Sequence, residues 1–159
     1  MRVGFGYDIH QLKAGRPCIL GGVHIESGLG PDGHSDADVL IHALMDAMLG
    51  AAGLRDIGYY FPPEDDQYKG ISSMLLLEKV NFLLKERGLQ AYNIDIMVIS
   101  ETPKLKPHID MMKANLQSIL EIPLDRISIK ATTNEMLGAI GRREGIAAQA
   151  VVSVYEGEI

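Results

Sequence analysis

One cysteine, Cys18, stands in 159 residues. It excludes an intramolecular disulfide and any CxxC metal site, and a lone thiol suits a reducing compartment. The chain has no basic run and no basic patch interleaved with aromatics. Its formal net charge of −6 argues against a nucleic-acid backbone or an anionic membrane as partner. No apolar run is long enough to cross a bilayer, because the longest, Val39 to Leu54, is broken by His42 and Asp46. There is no repeat, no low-complexity tract and no linker, and no signal or transit segment is expected before the first strand. Nor is there a nucleophile elbow or a cysteine placed for catalysis. Hydrophobic residues make up 47%, ordinary for a globular protein, and the length suits one domain with a sizeable core. These features predict a soluble, cytoplasmic protein.

What is present begins with "VGFGYDIH", Val3 to His10. Its strict alternation is that of a half-buried strand. Val3, Phe5, Tyr7 and Ile9 form the expected core face, and Gly4, Gly6, Asp8 and His10 the other. "CILGGVHI" predicts a hairpin turning on Gly21-Gly22. "ESGLGPDGHSD" reads as a long loop. A helix is expected from about Ser35 to Ala52, capped by Ser35 or Asp36 and stopped by Gly53. "RDIGYYFPPEDDQYKG" reads as a second loop, and Ile71 to Arg87 as a second helix. "NIDIMVIS" predicts a strand, Pro107 opens a third helix, and "ISIKA" predicts another strand. "GIAAQAVVSVY" is apolar enough for a central strand. One sheet with helices packed on it is the expected outcome.

Residues two apart on a strand lie roughly 6.6 Å apart on one face, so Asp8 and His10 can converge on one ion. The helix from 35 to 52 is apolar nearly all round, which predicts burial. Its polar exceptions Asp38, His42 and Asp46 are spaced by four and form one stripe. A lone His on such a helix is usually a core residue with one hydrogen-bond partner. Two His and one carboxylate, however, make a set that leaves a fourth tetrahedral position open, the catalytic zinc pattern. Asp38 or Asp46 would accept a hydrogen bond from the non-ligating nitrogen of His42.

These residues belong to a longer series of motifs. "GYDIH" (6–10), "LGG" (20–22), "HSDAD" (34–38), "HALMDAMLGAAGLRDIG" (42–58), "FPPED" (61–65), "YKG" (68–70), "PKLKPHI" (103–109), "KATTNEMLG" (130–138) and "GRREGIAA" (141–148) occur in this order. In that series the chain resembles the 2-C-methyl-D-erythritol 2,4-cyclodiphosphate synthase family of the non-mevalonate isoprenoid pathway. The resemblance covers the whole chain. It implies an α+β fold (an α/β sandwich), with one mostly β-sheet layer covered on one face by three main helices, plus a small N-terminal hairpin. It implies one catalytic domain over 1–159.

The resemblance further implies a reaction. The substrate would be 4-diphosphocytidyl-2-C-methyl-D-erythritol 2-phosphate, whose 2-phosphate attacks the β-phosphorus, closes a ring and releases CMP. Asp8, His10 and His42 fall at the family's zinc positions. Glu135 would help a second ion, Mg2+ or Mn2+, on the substrate diphosphate. His34 and Thr133 match positions that stabilise the transition state. Asp56, Ile57 and Gly58 match the part that holds the methylerythritol hydroxyls, and Ser35, Phe61 and Asp65 match further substrate-facing positions. The cytidine pocket corresponds to Ser100, Pro103, Lys104, Leu105 and Lys106, together with Ala131, Thr132 and Thr133. Arg142 matches a phosphate contact. The family forms homotrimers whose sites lie between neighbouring subunits. Ala139 departs from the Phe of many relatives, which puts in doubt any isoprenoid-binding pocket on the trimer axis. "FPPEDD" also differs from the commoner Phe-Pro-x-Thr/Ser-Asp-Pro.

The chemistry suits the composition. A phosphate nucleophile has its second pKa near about 6 and arrives ionised, so no protein nucleophile need be activated. Positioning and charge neutralisation are what remain. An acidic protein does not supply the latter through its overall field, but bound divalent ions do. Two other readings use the same residues. A zinc-dependent nucleotide phosphohydrolase would use the open zinc position for hydroxide, though "KATTNE" with "PKLKP" suggests a dedicated nucleoside pocket. A non-catalytic trimeric module would hold structural zinc, which usually takes four protein ligands.

Overall fold

A computed structural model describes residues 1–157. Among the described residues there are seven strands: β1 (Arg2–Ala14), β2 (Cys18–Leu20), β3 (Val23–Ile25), β4 (Leu29–Asp32), β5 (Leu89–Ile99), β6 (Ile127–Thr132) and β7 (Gly145–Glu156). Five of them form one sheet in the order β4-β1-β7-β5-β6, in which only β5 and β6 pair parallel. β7 is central, as its apolar sequence predicts. β2 and β3 make the expected separate hairpin, with positive φ at Gly21 (58°) and Gly22 (71°), the geometry of a tight two-residue turn.

The main helices are α1 (Val39–Ala52), α3 (Ser73–Lys85) and α4 (Ile109–Leu120), with one-turn helices α2 (Ile57–Tyr60) and α5 (Gly138–Gly141) between strands. α1 lies across β1 and β7, α3 packs on α1 and β5, and α4 reaches β6. Their apolar sides share one core with Ile94, Ile96, Val98, Ile146, Ala148, Val152 and Val154 of the sheet. The fold is α+β, one sheet layer under helices with a small hairpin beside it. Among the described residues, no helix is long and apolar enough to cross a membrane.

The first strand corrects the expected facing. Val3 (66%), Phe5 (60%), Tyr7 and Ile9 (48% each) are the exposed residues, and Gly4 and Gly6 are buried. The glycines are there because helix backbone occupies the space of a side chain. A Cβ on Gly4 would lie 1.9 Å from the Ala47 carbonyl oxygen, and one on Gly6 1.9 Å from that of Ala43. Ala43, Ala47 and Ala51, spaced by four on α1, face this strand. The helix-free side of the sheet therefore carries rows of side chains set by the register. Phe5 pairs with Val151, Tyr7 with Gln149 and Ile9 with Ala147, and the rows continue to Asp95, Met97 and Ile99.

Three boundaries also differ. α1 begins at Val39, because the Asp38 carboxylate, not Ser35 or Asp36, caps it by accepting from Ile41 N at 3.2 Å. The loop before it contains β4, which pairs with the far end of β1. The loop after it contains α2, capped by Asp56 through Tyr59 N, and a 3-10 turn at Asp66–Tyr68. The second helix runs from Ser73, capped by Ser72, and the third is preceded by a 3-10 turn at Lys106–His108.

Candidate active site

The alternation of β1 puts Asp8 and His10 on the side that meets α1, and His42 lies one turn inside that helix. Their ligand atoms converge: Asp8 Oδ2 is 2.9 Å from His10 Nε2 and 3.1 Å from His42 Nδ1, and the two nitrogens are 3.1 Å apart. Ligands of a tetrahedral zinc ion, at bond lengths of about 2.0–2.1 Å, are separated by roughly 3.3 Å. The trio therefore has the spacing of three corners of such a site.

The outer edges of both rings are occupied. His10 Nδ1 donates to the Asp32 carbonyl oxygen at 3.0 Å. His42 Nε2 lies 3.1 Å from Ser35 Oγ and 3.0 Å from Ser73 Oγ, both in buried residues. With the ring protons outside, the inner atoms are three lone-pair donors facing one another. That arrangement is repulsive unless a cation or a proton sits among them, and this is why the set fits a divalent ion. Where protons stand in for the ion, burial opposes ionisation of Asp8, but hydrogen bonds from His10 and His42 prevail and hold the carboxyl far below the usual range. His10 is pushed up, burial again opposing and the Asp8 carboxylate prevailing.

The expected partners of His42 prove to be elsewhere. Asp38, fully buried, accepts from Gly21 N (3.0 Å) and Gly22 N (2.8 Å) besides capping α1. It joins the β2–β3 turn to the helix. Burial pushes its carboxyl up to about 6 despite these donors. Asp46 accepts from Ile57 N at 2.8 Å and anchors α2. Ser73 is the partner that sequence reasoning missed. It lies in the first turn of α3, 31 residues from His42, and only the fold brings the two together.

A cleft of about 250 Å3 opens over the trio. His34, Ser35, Ile57, Gly58 and Phe61 line it together with Asp8, His10 and His42. His34 Nε2 donates to the Asp65 carbonyl oxygen at 3.2 Å. The Asp65 side chain itself turns to Gln67, and the Asp56 carboxylate is spent on the α2 cap. A second, separate cleft of about 200 Å3 is lined by Ser100, Pro103, Lys104, Leu105 and Lys106 on one side. Ala131, Thr132 and Thr133 line the other side. The two clefts share no lining residue, and His34 and Thr133 line different ones.

Glu135 is exposed on the loop beyond Thr133, where it and Met136 both have positive φ (49° and 62°). Glu101 holds that loop by accepting from Asn134 N (2.9 Å) and Met136 N (3.2 Å), a role no sequence signal announced. Glu135 is not part of the Asp8, His10 and His42 cluster. Arg142 forms a two-point pair with Glu144, at 2.8 and 3.2 Å, and lines neither cleft.

Comparison with known proteins adds four findings. The model of the YgbB family matches residues 1–155. A curated protein of Synechococcus elongatus, named 2-C-methyl-D-erythritol 2,4-cyclodiphosphate synthase, is 59% identical over 150 residues, 94% of either chain. Among solved structures, a synthase of that name in a CDP-bound form is 37% identical with a TM-score of 0.89, covering 97% of this chain and 100% of the other. The bifunctional IspDF from Campylobacter jejuni is 44% identical with a TM-score of 0.92, over 96% of this chain but 42% of its own length.

Proposed function

This chain belongs to the YgbB family, and from that premise we propose how its residues divide the work. The activity is that of a 2-C-methyl-D-erythritol 2,4-cyclodiphosphate synthase. The 2-phosphate of 4-diphosphocytidyl-2-C-methyl-D-erythritol 2-phosphate attacks the β-phosphorus. A new phosphorus–oxygen bond closes the ring, and the bond from the β-phosphorus to the oxygen of the CMP phosphate breaks. The curated relatives carry the synthase name, which sets aside the phosphohydrolase and non-catalytic readings.

Asp8, His10 and His42 would hold Zn2+ or a similar divalent ion, and the charge such an ion supplies would offset the repulsion between the phosphates. Their convergence, with both outer ring nitrogens already engaged, is the observation that carries this reading. His34 and Ser35 stand beside the trio to orient the phosphate. Ile57, Gly58 and Phe61 wall off water from the methylerythritol end, and Asp56 and Asp65 keep those walls in place through their caps. The second cleft takes the cytidine. Its backbone at Ser100 and Ala131 addresses the base edge, and Pro103, Leu105 and the lysine stems pack its faces. Thr132 and Thr133 offer hydroxyls to the phosphates. Glu135 would help hold Mg2+ or Mn2+ brought with the diphosphate, and Arg142 would contact phosphate on leaving Glu144.

One substrate needs both clefts, which supports an active site built between two chains of a homotrimer. The exposed row Val3, Phe5, Tyr7 and Ile9 is the apolar surface such an assembly would cover. A cytoplasmic setting suits the unpaired, buried Cys18.

Incubation with the substrate and magnesium, followed by phosphorus NMR, tests the reaction. CMP and a cyclic diphosphate are expected, whereas inorganic phosphate or an uncyclised product would refute it. Heavy-oxygen water separates the routes, since hydrolysis labels the product and ring closure does not. Shared sites predict that inactive His42→Ala and Thr133→Ala chains regain part of the activity when refolded together. No recovery in verified mixed assemblies would place each site within one chain.

A further inference from the structure

The geometry points to Ser73 and Asp36 as positioning residues that fix which nitrogen of His42 faces the cation. The inference rests on the reading of Asp8, His10 and His42 as cation ligands, and it concerns side chains outside that set.

His42 is asymmetric in its use. Nδ1 faces Asp8 and His10, so the ring serves the cation only when Nδ1 carries a lone pair and Nε2 the proton. In an isolated imidazole nothing enforces that tautomer. Here Nε2 meets two hydroxyls, Ser35 Oγ at 3.1 Å and Ser73 Oγ at 3.0 Å. A hydroxyl both donates and accepts, so either one alone would tolerate the wrong tautomer by donating its own hydrogen to a bare Nε2.

Asp36 removes that freedom at Ser73. Its Oδ1 takes the Ser73 hydroxyl hydrogen in a short contact, and its Oδ2 accepts from Ser73 N at 2.9 Å. A carboxylate is acceptor-only. With its hydrogen committed to Asp36, Ser73 Oγ presents only lone pairs to the imidazole. Nε2 must then be the donor. The chain of hydrogen bonds therefore runs one way, from His42 Nε2–H to Ser73 Oγ–H to the Asp36 carboxylate. Ser35 has no such constraint: its oxygen accepts from Ala37 N at 3.2 Å and its hydrogen is uncommitted.

The surroundings suit a rigid orienting device. Ser73 is fully buried at the start of α3. The segment bearing Asp36 is laced to the chain before that helix by Asp36 N to Ile71 O (3.1 Å) and Gly70 N to His34 O (2.8 Å). α3 and the 34–38 loop thus reach His42 as one unit. A carboxylate polarising a hydroxyl that in turn accepts from a ligand histidine also raises the basicity of Nδ1, one step more remote than a direct carboxylate–histidine contact.

The test is zinc affinity by chelator competition, together with long-range proton–nitrogen NMR of the histidine rings in zinc-loaded protein. Ser73→Ala and Asp36→Asn should each weaken zinc about 10- to 100-fold and speed exchange of the His42 Nε2 proton. Ser73→Thr, which keeps the hydroxyl, should restore both. The His10 ring, held independently by the Asp32 carbonyl, should keep its Nδ1 proton in every variant. Loss of that proton as well would show general loosening and overturn the specific role. Variants that bind zinc within about twofold of wild type and retain a protected Nε2 proton would overturn the inference while leaving the ligand set intact. Wild-type protein that binds no zinc would instead remove the ligand reading and this inference together.

Discussion

Replacing Gly6 by alanine tests the contact on which the site is built. The substitution adds one methyl group, and the backbone there is not in the left-handed region that only glycine favours. A Cβ at Gly6 would lie 1.9 Å from the Ala43 oxygen and 2.8 Å from the Ala47 nitrogen, where ordinary contact begins near 3.4 Å. Strand and helix would have to part by roughly 1.5 Å, enough to forfeit much of the dispersion energy along that seam. Overpacking of this kind costs about 1–3 kcal/mol, more where neither side yields, and here both neighbours are main chain. Stiffening of the unfolded chain returns only about 0.4–1 kcal/mol. A net loss of about 2 kcal/mol lowers the urea midpoint by about 1 M for a chain of this size. Asp8 and His10 follow on the same face of the strand, so zinc affinity should fall at least about tenfold. Gly28→Ala is the control, because nothing lies within 4 Å of its Cβ position. A Gly6→Ala protein with the midpoint and zinc affinity of the Gly28→Ala protein would refute the reasoning.

Other outcomes follow from the same contacts. Asp38→Ala leaves the N–H groups of Gly21, Gly22 and Ile41 without their acceptor and should cost about 3–5 kcal/mol by urea denaturation. Asp38→Asn, which keeps an oxygen, should cost less. His10 is held above its ordinary 6.5, burial opposing and Asp8 prevailing. In chelator its contribution to stability is therefore complete below pH 6.5 and lost as pH rises through the raised value. His10→Gln should flatten that fall, and a wild-type midpoint no steeper than the variant's would count against it. Saturating zinc should reverse the trend, since the ligands must be deprotonated to bind. Phe5→Glu puts a charge on the exposed sheet face and should give a monomer by sedimentation that keeps zinc but loses turnover; an unchanged mass would clear that face of any role in assembly.

Much of the architecture was legible because periodicity and composition agreed. β7 reads as central, the Gly21-Gly22 hairpin forms where expected, and Asp8, His10 and His42 meet. The facing of β1 was not legible. Alternation separates two faces of a strand but does not say which is inside, and the apolar set looked like the core. The deciding quantity was space. Gly4 and Gly6 admit the α1 backbone, while Phe5 and Tyr7 are left outside for another surface. The partners of His42 were hidden for a related reason. Asp38 and Asp46 share its helical stripe, yet each is drawn to main-chain N–H groups of neighbouring turns. The partners that do meet Nε2 are hydroxyls, Ser35 from the loop before the helix and Ser73 from 31 residues away. Thr133 and Glu135 carry a motif adjacent in text to nothing in the first cleft, and no spacing rule tells whether two clefts belong to one chain or to neighbours.

The outward row of Phe5, Tyr7 and Ile9 also sets terms for the cell that makes this protein. In the proposed homotrimer this strip is hidden against sibling chains, and the ratio of solitary to gathered chains would then depend on abundance. Thinly expressed, such chains would idle with greasy flanks open to aggregation. Beyond a threshold of supply, output would climb faster than the number of molecules, and a defective allele would spoil its healthy neighbours as well as itself.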